Sequence, residues 1–412
     1  MKVNLVGRTS REGGSIALPG SKSISNRLLI IKALCVQDFD ILYLSDSQDT
    51  KDLQELLRKR SAIYNTGEGG TSSRFFIAYA ALKQYQCVVG AEGRMKRRPV
   101  SGLVDSLNQL GAQIAYVNND NLLPVQLKGY RLKGDVVELN ASESSQFASA
   151  ISLIGPYIGN GLRVQLRGEI VSQSYLNMTV ALMRDFGIEL NLNEDFIQIE
   201  NGIYSPKTYI VEADWSAASY FYLLVAIGRK LEIFLERLKL ESLQGDSVLA
   251  KLMTEIGVES KIELDGIRIF SVESELNEFA YDFTNCPDLA LTFIVCCAAL
   301  GLEGTFSGLQ TLANKESNRI EAIRTELMKL SIELEVLNDN EVYIPASQTR
   351  LRELSNMAKI VFDSHGDHRI AMALSGFAAV ISDVTISNAE VVKKSYPDYW
   401  KDLEKIGINV IR

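Results

Sequence analysis

The sequence predicts an α/β fold assembled from six repeated strand-and-helix units. Six times along the chain, small, polar or turn-forming residues are followed at once by a long apolar run, as in SKSISNRLLIIKAL from Ser21 and GTSSRFFIAYAAL from Gly70. Alternating segments typical of strands, such as LRVQLRGEI and GIRIFSV, lie between these runs. A chain of 412 residues exceeds one ordinary core, so two domains are expected.

The other four helix starts have the same form. They are SESSQFASAISLI from Ser142, DWSAASYFYLLVAI from Asp214, CPDLALTFIVCCAAL from Cys286 and GDHRIAMALSGFAAV from Gly366. Ser, Thr and Asp at such positions accept hydrogen bonds from first-turn amides, and the apolar runs predict burial on most sides. Converging helix N-termini would favour anionic ligands.

The spacing of these starts defines the repeat. The last polar residues before the apolar runs are Arg27, Arg74, Gln146, Ser219, Asp288 and Arg369. They are separated by 47, 72, 73, 69 and 81 residues, so the unit is about 70 residues long and the first is shortened by roughly a third.

Composition excludes several classes of protein. With 46% hydrophobic and 23% charged residues and only 8 Pro, the chain is neither disordered, collagen-like nor a coiled coil. A net charge of −8 argues against nucleic-acid or membrane partners, so an anionic ligand must meet local clusters of Arg and Lys. The five cysteines form no C-x-x-C pair, and the N-terminus lacks a signal peptide; we therefore expect a cytoplasmic protein.

Three common catalytic motifs are absent or incomplete. A P-loop requires Gly directly before Lys, whereas Ser21 precedes Lys22. SESSQF lacks the G-x-S-x-G of serine hydrolases. His365 and His368 would need a third zinc ligand, and no Cys or His cluster supplies one. Each charged motif alone also fits a solvated, capped helix start, but six of them together indicate an anion-binding site.

Together these motifs resemble those of the 5-enolpyruvylshikimate-3-phosphate synthase family over nearly the whole chain. LPGSKSISNR is similar to the family's L-P-G-S-K-S-x-S-N-R, GGTSSR to N-[AS]-G-T-x-x-R and RMKRRP to R-M-x-x-R-P, while SSQF, VSQSY, PDLA, KESNR, DHRIAM and KKSYPDYW resemble further motifs. The resemblance implies a two-domain inside-out α/β barrel of the enolpyruvyl transferase type, with three units per domain. Residues 1–20 and 214–412 would form one domain, residues 21–213 the inserted one, and the domains would close around ligands.

The implied reaction transfers the enolpyruvyl group of phosphoenolpyruvate to the 5-hydroxyl of shikimate 3-phosphate, releases phosphate and needs no metal or organic cofactor. Asp288 would take the hydroxyl proton and Glu316 would protonate the methylene, with Lys22 a competing candidate for either transfer. Glyphosate would occupy the phosphoenolpyruvate phosphate position against Gly70.

The resemblance also implies two sets of ligand-binding residues. Those for shikimate 3-phosphate are Lys22, Ser23, Arg27, Ser144, Ser145, Gln146, Ser172, Tyr175, Asp288 and Lys315. Those for phosphoenolpyruvate are Lys22, Gly70, Thr71, Arg74, Arg94, Gln146, Arg319, His368, Arg369 and Lys394. A monomer is expected.

The chain departs from the family pattern at four positions. Glu68 replaces an Asn, Asn318 an Asp, Ala313 a common Arg and Ser174 a Pro. Two alternatives remain open. A UDP-N-acetylglucosamine enolpyruvyl transferase shares the fold type and chemistry but usually carries a Cys in the loop where this chain has GRMKRRP. A catalytically silent anion-binding relative is the other.

Overall fold

The computed structural model describes residues 1–7, 13–118, 121–142, 144–168, 170–229 and 231–412. Within these residues the α-helices are α1 (Lys22–Leu34), α2 (Gln48–Arg58), α3 (Gly70–Leu82), α4 (Ser101–Gln109), α5 (Ser145–Ile154), α6 (Gln173–Asp185), α7 (Trp215–Gly228), α8 (Leu249–Ile256), α9 (Ala290–Leu300), α10 (Arg319–Met328), α11 (Arg350–Ser355), α12 (His368–Ser375) and α13 (Tyr399–Lys405). Short 3-10 helices span Gly93–Arg97, Gly155–Tyr157, Gly245–Val248, Leu312–Asn314, Gly376–Ala379 and Ala389–Lys394.

The strands of the same residues are β1 (Lys2–Val6), β2 (Gly14–Ala17), β3 (Ile41–Leu42), β4 (Ile63–Asn65), β5 (Gln86–Gly90), β6 (Ile114–Tyr116), β7 (Val125–Lys128), β8 (Val136–Asn140), β9 (Gly161–Arg167), β10 (Leu190–Leu192), β11 (Phe196–Glu200), β12 (Tyr209–Ile210), β13 (Glu232–Glu236), β14 (Val258–Glu263), β15 (Gly266–Ser271), β16 (Glu278–Asp282), β17 (Glu303–Ser307), β18 (Glu335–Asn338), β19 (Glu341–Ile344), β20 (Ile360–Asp363), β21 (Asp383–Ser387) and β22 (Asn409–Ile411).

The chain divides into two compact units. The discontinuous unit consists of Met1–Gly20 and Glu212–Arg412, and the inserted unit consists of Ser21–Val211. An isolated β-bridge between Gly20 and Ala213 joins the two segments of the discontinuous unit where the chain leaves and re-enters it.

The inserted unit contains three helices that contact one another, α1, α3 and α5, and three sheets in its described residues. Two of the sheets have four strands, in the orders β4-β5-β7-β6 and β10-β11-β9-β8. The third sheet has only the parallel pair β3 and β12. This small sheet belongs to the first repeat, which the short spacing before Arg74 predicts to be trimmed.

The discontinuous unit repeats this plan. Helices α7, α9 and α12 contact one another. Its sheets have the orders β20-β21-β1-β22, β14-β15-β13-β2 and β16-β17-β19-β18. Every residue of α9 from Ala290 to Ala299 is buried, because this apolar helix packs against α7, α11 and α12 and against β17 and so meets side chains on all sides. The six predicted helices are the six central helices, and the predicted fold class is confirmed.

Side chains at the helix starts explain where these helices begin. Asp214 accepts a hydrogen bond from the Ala217 amide at 2.9 Å, and Asp367 accepts one from the Arg369 amide at 2.9 Å. Three predicted starts are displaced: α5 begins at Ser145 rather than at Ser142, α9 at Ala290 rather than at Cys286, and α12 at His368 rather than at Gly366. In the described part of the chain, no helix is long and apolar enough to cross a membrane.

Candidate functional site

The residues predicted to bind ligands form a separate cluster in each compact unit. We call Lys22, Gly70, Arg74, Arg98 and Gln146 of the inserted unit the cation cluster. We call Asp288, Glu316, Arg319, Asp367, Arg369 and Lys394 of the discontinuous unit the carboxylate cluster. Some members lie at or just before the starts of central helices, such as Lys22 at α1, Gly70 at α3 and Asp288 before α9. Others lie elsewhere: Arg98 precedes α4, Arg319 begins α10, and Lys394 ends the 3-10 helix Ala389–Lys394.

Lys22 is fixed at the start of α1 by an ion pair. Its Nζ lies 3.0 Å from Oδ2 of Asp49 in the first turn of α2, and the lysine side chain is 16% exposed. The Asp49 carboxyl lies beside Gly69, where a Cβ would come within 2.9 Å of it. Asp49 therefore brings the starts of α1 and α3 together, and sequence reasoning did not identify it.

Gly70 allows two arginines to approach the start of α3. A Cβ at this position would lie 2.6 Å from one terminal nitrogen of Arg98 and 3.0 Å from one of Arg74. Arg74 donates to Gln146 Oε1 and, at 3.0 Å, to the carbonyl of Pro99. A side chain at this position would therefore displace the guanidinium groups, which lie where the predicted phosphate would bind.

Arg98 is buried, whereas the predicted ligand Arg94 is exposed in the 3-10 helix Gly93–Arg97. Both belong to GRMKRRP, in which sequence alone singled out only the first arginine. The Glu68 carboxylate, which replaces the family's Asn, lies against Gly93 and is therefore next to Arg94 in the chain. The negative charge of Glu68 thus sits close to a predicted phosphoenolpyruvate ligand.

Arg27 connects three helices of the inserted unit. Its guanidinium donates to Thr179 Oγ1 at 2.7 Å, Ser149 Oγ at 3.2 Å, and the carbonyls of Tyr175 and Ser23 at 3.0 and 2.9 Å. Burial lowers the pKa of Arg27 to about 10. These bonds hold α1 against α5 and α6, so Arg27 has a structural task in addition to its predicted contact with shikimate 3-phosphate.

The remaining predicted ligands of the inserted unit lie at helix starts. Ser144 caps α5 by accepting from the Gln146 amide at 3.2 Å, and Ser145 is the first residue of that helix. Ser172 precedes α6 with a left-handed backbone at φ 57°, and Tyr175 lies in the first turn of α6. Ser23 and Thr71 are half-buried in the first turns of α1 and α3.

Arg319 is the centre of the carboxylate cluster. It donates to Asp367 Oδ2 at 2.9 Å, Asp288 Oδ1 at 3.1 Å and Glu316 Oε2 at 3.0 Å. The side chain is only 2% exposed, and burial opposes its charge, yet the three carboxylates raise the pKa of Arg319 above its ordinary value. Burial is the largest influence on Asp367 and raises its pKa, but the charges of Arg319 and His368 and the hydrogen bond from Arg319 together bring that pKa below its ordinary value. The guanidinium therefore stays charged and fixes all three acids.

Each predicted catalytic carboxylate is held by two cations. Asp288 Oδ2 accepts from Arg369 at 2.7 Å in addition to the bond from Arg319. Glu316 Oε1 lies 3.2 Å from Lys394 Nζ, while its other oxygen binds Arg319. An anionic ligand that binds these cations would compete with the two acids for them.

His368, Lys315 and Asn318 complete this region. His368 is buried, with Nδ1 3.7 Å from Asp367 Oδ1. Lys315 follows the 3-10 helix Leu312–Asn314 and is half-buried. Asn318 caps α10 by accepting from the Glu321 amide at 3.4 Å, which explains why Asn can replace the family's Asp there. Among the described residues, no group of three or more His, Cys, Asp or Glu side chains is placed to hold a metal ion.

Comparison with known proteins gives one consistent answer. The family model for EPSP synthase (3-phosphoshikimate 1-carboxyvinyltransferase) matches residues 55–403. A 3-phosphoshikimate 1-carboxyvinyltransferase of Bacteroides fragilis (strain YCH46) is 38% identical over 98% of both chains. One of Histophilus somni (strain 2336) is 32% identical over 97% of this chain and 98% of its own.

A solved structure agrees with the fold. The EPSP synthase of Acinetobacter baumannii at 2.37 Å has a TM-score of 0.80 and 20% identity, with full coverage of both chains. At this identity the likeness shows the two-domain α/β fold, and the family follows from the sequence matches. The chain belongs to the EPSP synthase (3-phosphoshikimate 1-carboxyvinyltransferase) family.

Proposed function

We propose that this chain transfers the enolpyruvyl group of phosphoenolpyruvate to the 5-hydroxyl of shikimate 3-phosphate with the residues of the two clusters. Family membership supports the reaction. One observation carries the assignment of roles: Arg319 holds both Asp288 and Glu316 by hydrogen bonds of 3.1 and 3.0 Å. A buried guanidinium that orients an acid and a base suits a reaction with two proton transfers.

In the proposed mechanism, Asp288 accepts the proton of the 5-hydroxyl while the hydroxyl oxygen bonds to the central carbon of phosphoenolpyruvate. Glu316 delivers a proton to the methylene carbon, which gives a tetrahedral adduct. Glu316 then takes back one methyl proton while phosphate leaves with the proton held by Asp288, which restores the double bond and returns both acids to their starting states. Lys22, paired with Asp49 at 3.0 Å, remains a candidate for either transfer.

Phosphoenolpyruvate carries a phosphate and a carboxylate, and both suit guanidinium donors. We assign these two groups to the phosphoenolpyruvate ligands predicted from the sequence. Arg98 is added to them because its guanidinium, like that of Arg74, lies next to Gly70. Shikimate 3-phosphate is assigned to its own predicted set, which comprises Lys22, Ser23 and Arg27 of α1, the side chains of Ser144, Ser145, Gln146, Ser172 and Tyr175 at the starts of α5 and α6, and Asp288 and Lys315. The neutral donors of Ser144, Ser145 and Gln146 suit its hydroxyls and phosphate oxygens.

A phosphate-release assay tests this function. The purified chain is given phosphoenolpyruvate with shikimate 3-phosphate, and in parallel phosphoenolpyruvate with UDP-N-acetylglucosamine. We expect phosphate release only with shikimate 3-phosphate. Release with the nucleotide sugar would assign the chain to the alternative reaction, and no release with either acceptor would identify it as the silent anion-binding relative.

We also propose that the two compact units are the two domains of the family fold, with three repeat units each, and that the protein is a cytoplasmic monomer. The cysteines Cys35, Cys87, Cys286, Cys296 and Cys297 are all free thiols, which supports a reducing compartment. Sedimentation equilibrium is expected to give a mass near the chain mass of 45.7 kDa.

A further inference from the structure

Asp246 is a buried acid that the proposed mechanism does not use. It lies in the 3-10 helix Gly245–Val248 and is 4% exposed. The side chain of Gln244, two residues earlier, binds the backbone around the start of α7. It accepts from the Trp215 amide at 3.0 Å and donates to the Ala213 carbonyl at 2.8 Å. These bonds hold the segment that carries Asp246 against the start of α7.

A chain of hydrogen bonds leads from Asp246 to Arg369. Ser216 in the first turn of α7 donates its hydroxyl to Asp246 Oδ2. A serine hydroxyl has one hydrogen, so this bond turns the lone pairs of Ser216 away from Asp246. Ser216 Oγ accepts from Arg369 at 3.4 Å, and Tyr220 accepts from the other terminal nitrogen at 3.4 Å.

These contacts fix one side of the Arg369 guanidinium, while Asp288 binds it at 2.7 Å. The two bonds from α7 are long, so they orient the guanidinium more than they neutralise it. The negative charge of Asp246 strengthens the bond from Ser216, so a neutral side chain at position 246 would hold the hydroxyl less firmly and would no longer keep its lone pairs toward the cation. Arg369 would then lose an acceptor and turn toward Asp288.

The charge of Asp246 responds to its surroundings. Burial and the charge of Asp288 raise its pKa to about 7, while Arg369 and the Ser216 bond act in the opposite direction. The ionisable groups that face it are Asp214 at the start of α7, Cys286 and Asp288 before α9, and Arg369 on α12. Near neutral pH, Asp246 therefore changes between its charged and neutral forms.

We propose that Asp246 is a positioning residue that acts through Ser216 to orient Arg369 toward the anionic group of phosphoenolpyruvate. The inference rests on the proposed role of Arg369. It adds a second carboxylate to the control of this arginine, separate from Asp288, which contacts it directly.

A double-mutant cycle tests the coupling. Ser216→Ala and Asp246→Asn are each expected to raise the KM for phosphoenolpyruvate about tenfold, with kcat and the KM for shikimate 3-phosphate changed less than about threefold. If Asp246 acts through Ser216, the double variant is expected to be no more than about twofold worse than either single variant. Independent effects, which would multiply to about 100-fold, would overturn the proposal.

Three further measurements exclude a merely structural effect. Ser216→Thr keeps the hydroxyl and is expected to restore a nearly normal KM for phosphoenolpyruvate. The matched control Asp265→Asn removes an exposed carboxylate of the same unit and is expected to change nothing. Between pH 6 and 8, the wild-type KM is expected to fall more steeply than that of Asp246→Asn; parallel profiles would contradict the proposal.

Arg369→Lys, assayed in parallel, tests the proposed role of Arg369 separately from the role of Asp246. We expect its KM for phosphoenolpyruvate to rise at least as much as in Ser216→Ala. An unchanged KM in this variant would contradict both the proposed role of Arg369 and the inference drawn from it. A raised KM combined with independent effects of Ser216 and Asp246 would overturn only the inference.

Discussion

The cation cluster and the carboxylate cluster hold their arginines in different ways. Arg74 of the cation cluster donates to an amide oxygen and a backbone carbonyl, which are neutral acceptors. Arg319 and Arg369 of the carboxylate cluster donate to Asp288, Glu316 and Asp367 at 2.7 to 3.1 Å. Neutral acceptors orient a guanidinium by hydrogen bonds alone, whereas carboxylates are held by its charge as well and are groups that can exchange protons. In the proposed assignment, the first cluster mainly binds anions, whereas the second combines anion-binding cations with the two proposed acids.

The largest effect is expected in the carboxylate cluster. Glu316→Gln keeps the shape of the side chain and removes the group that delivers the proton, so kcat should fall about 100-fold or more while shikimate 3-phosphate still binds. Phosphate-release kinetics and a binding titration measure the two quantities. Glu321→Gln, an exposed acid in the first turn of α10, is the control. Turnover close to normal in Glu316→Gln would show that the chemistry does not depend on this carboxyl group.

A smaller effect, on binding, is expected in the cation cluster. A methyl group at Gly70 would lie 2.6 and 3.0 Å from terminal nitrogens of Arg98 and Arg74, so both guanidinium groups must shift. Gly70→Ala should weaken glyphosate inhibition about tenfold, and by a larger factor than it raises the KM for phosphoenolpyruvate.

Inhibition constants of wild type and Gly70→Ala measure this effect. Gly90→Ala serves as the control, because a Cβ there meets no atom closer than 3.8 Å among those outside its chain neighbours. Equal glyphosate inhibition constants for Gly70→Ala and wild type would show that the start of α3 does not bind the phosphate group. A wild type that glyphosate barely inhibits would instead point to the charge of Glu68.

The smallest effect concerns the pH dependence of stability. It is expected from Asp246 in the discontinuous unit and not from the cation cluster. The pKa of Asp246 is raised to about 7 in the folded chain, against about 3.9 in an unfolded one. Between these values the folded state binds the additional proton, so rising pH should remove up to about 1 kcal/mol of stability per pH unit. Above about pH 7 this loss should end.

Urea unfolding of wild type and Asp246→Asn at pH 5, 6, 7 and 8 measures this contribution. The stability of wild type relative to the variant should decrease as pH rises and then level off. Arg74→Lys, a change in the other compact unit, should leave this slope unchanged. A constant difference between wild type and Asp246→Asn would contradict the raised pKa.

The central helices, the fold class and the family could be predicted because their signals are local. A cap such as Asp214 and the apolar run after it lie within one stretch of sequence, and the repeat spacing gives the number of units. The short first spacing also anticipated a reduced unit, which has the two-stranded sheet of β3 and β12. The predicted family and reaction are confirmed by the family model and the relatives.

Buried charges in the clusters could not be predicted in the same way. Asp49, Arg98 and Asp246 are buried, and each matters through a partner distant in sequence: Lys22, Gly70 and Ser216 respectively. Nothing in a short motif distinguishes such a residue from a solvated charge. Asp367 stood inside the quoted GDHR segment, but its bond to Arg319 spans 48 positions of the chain.

The bridge between Gly20 and Ala213 has a consequence for the order in which the chain folds during synthesis. Strands β1 and β2 emerge first, but they pair with β21, β22 and β13, and β21 and β22 lie at the far end of the chain. The inserted unit between them is translated completely before any of these partners exists. We therefore expect Ser21–Val211 to fold during translation. The first twenty residues are expected to take their places only after their partner strands have been synthesised.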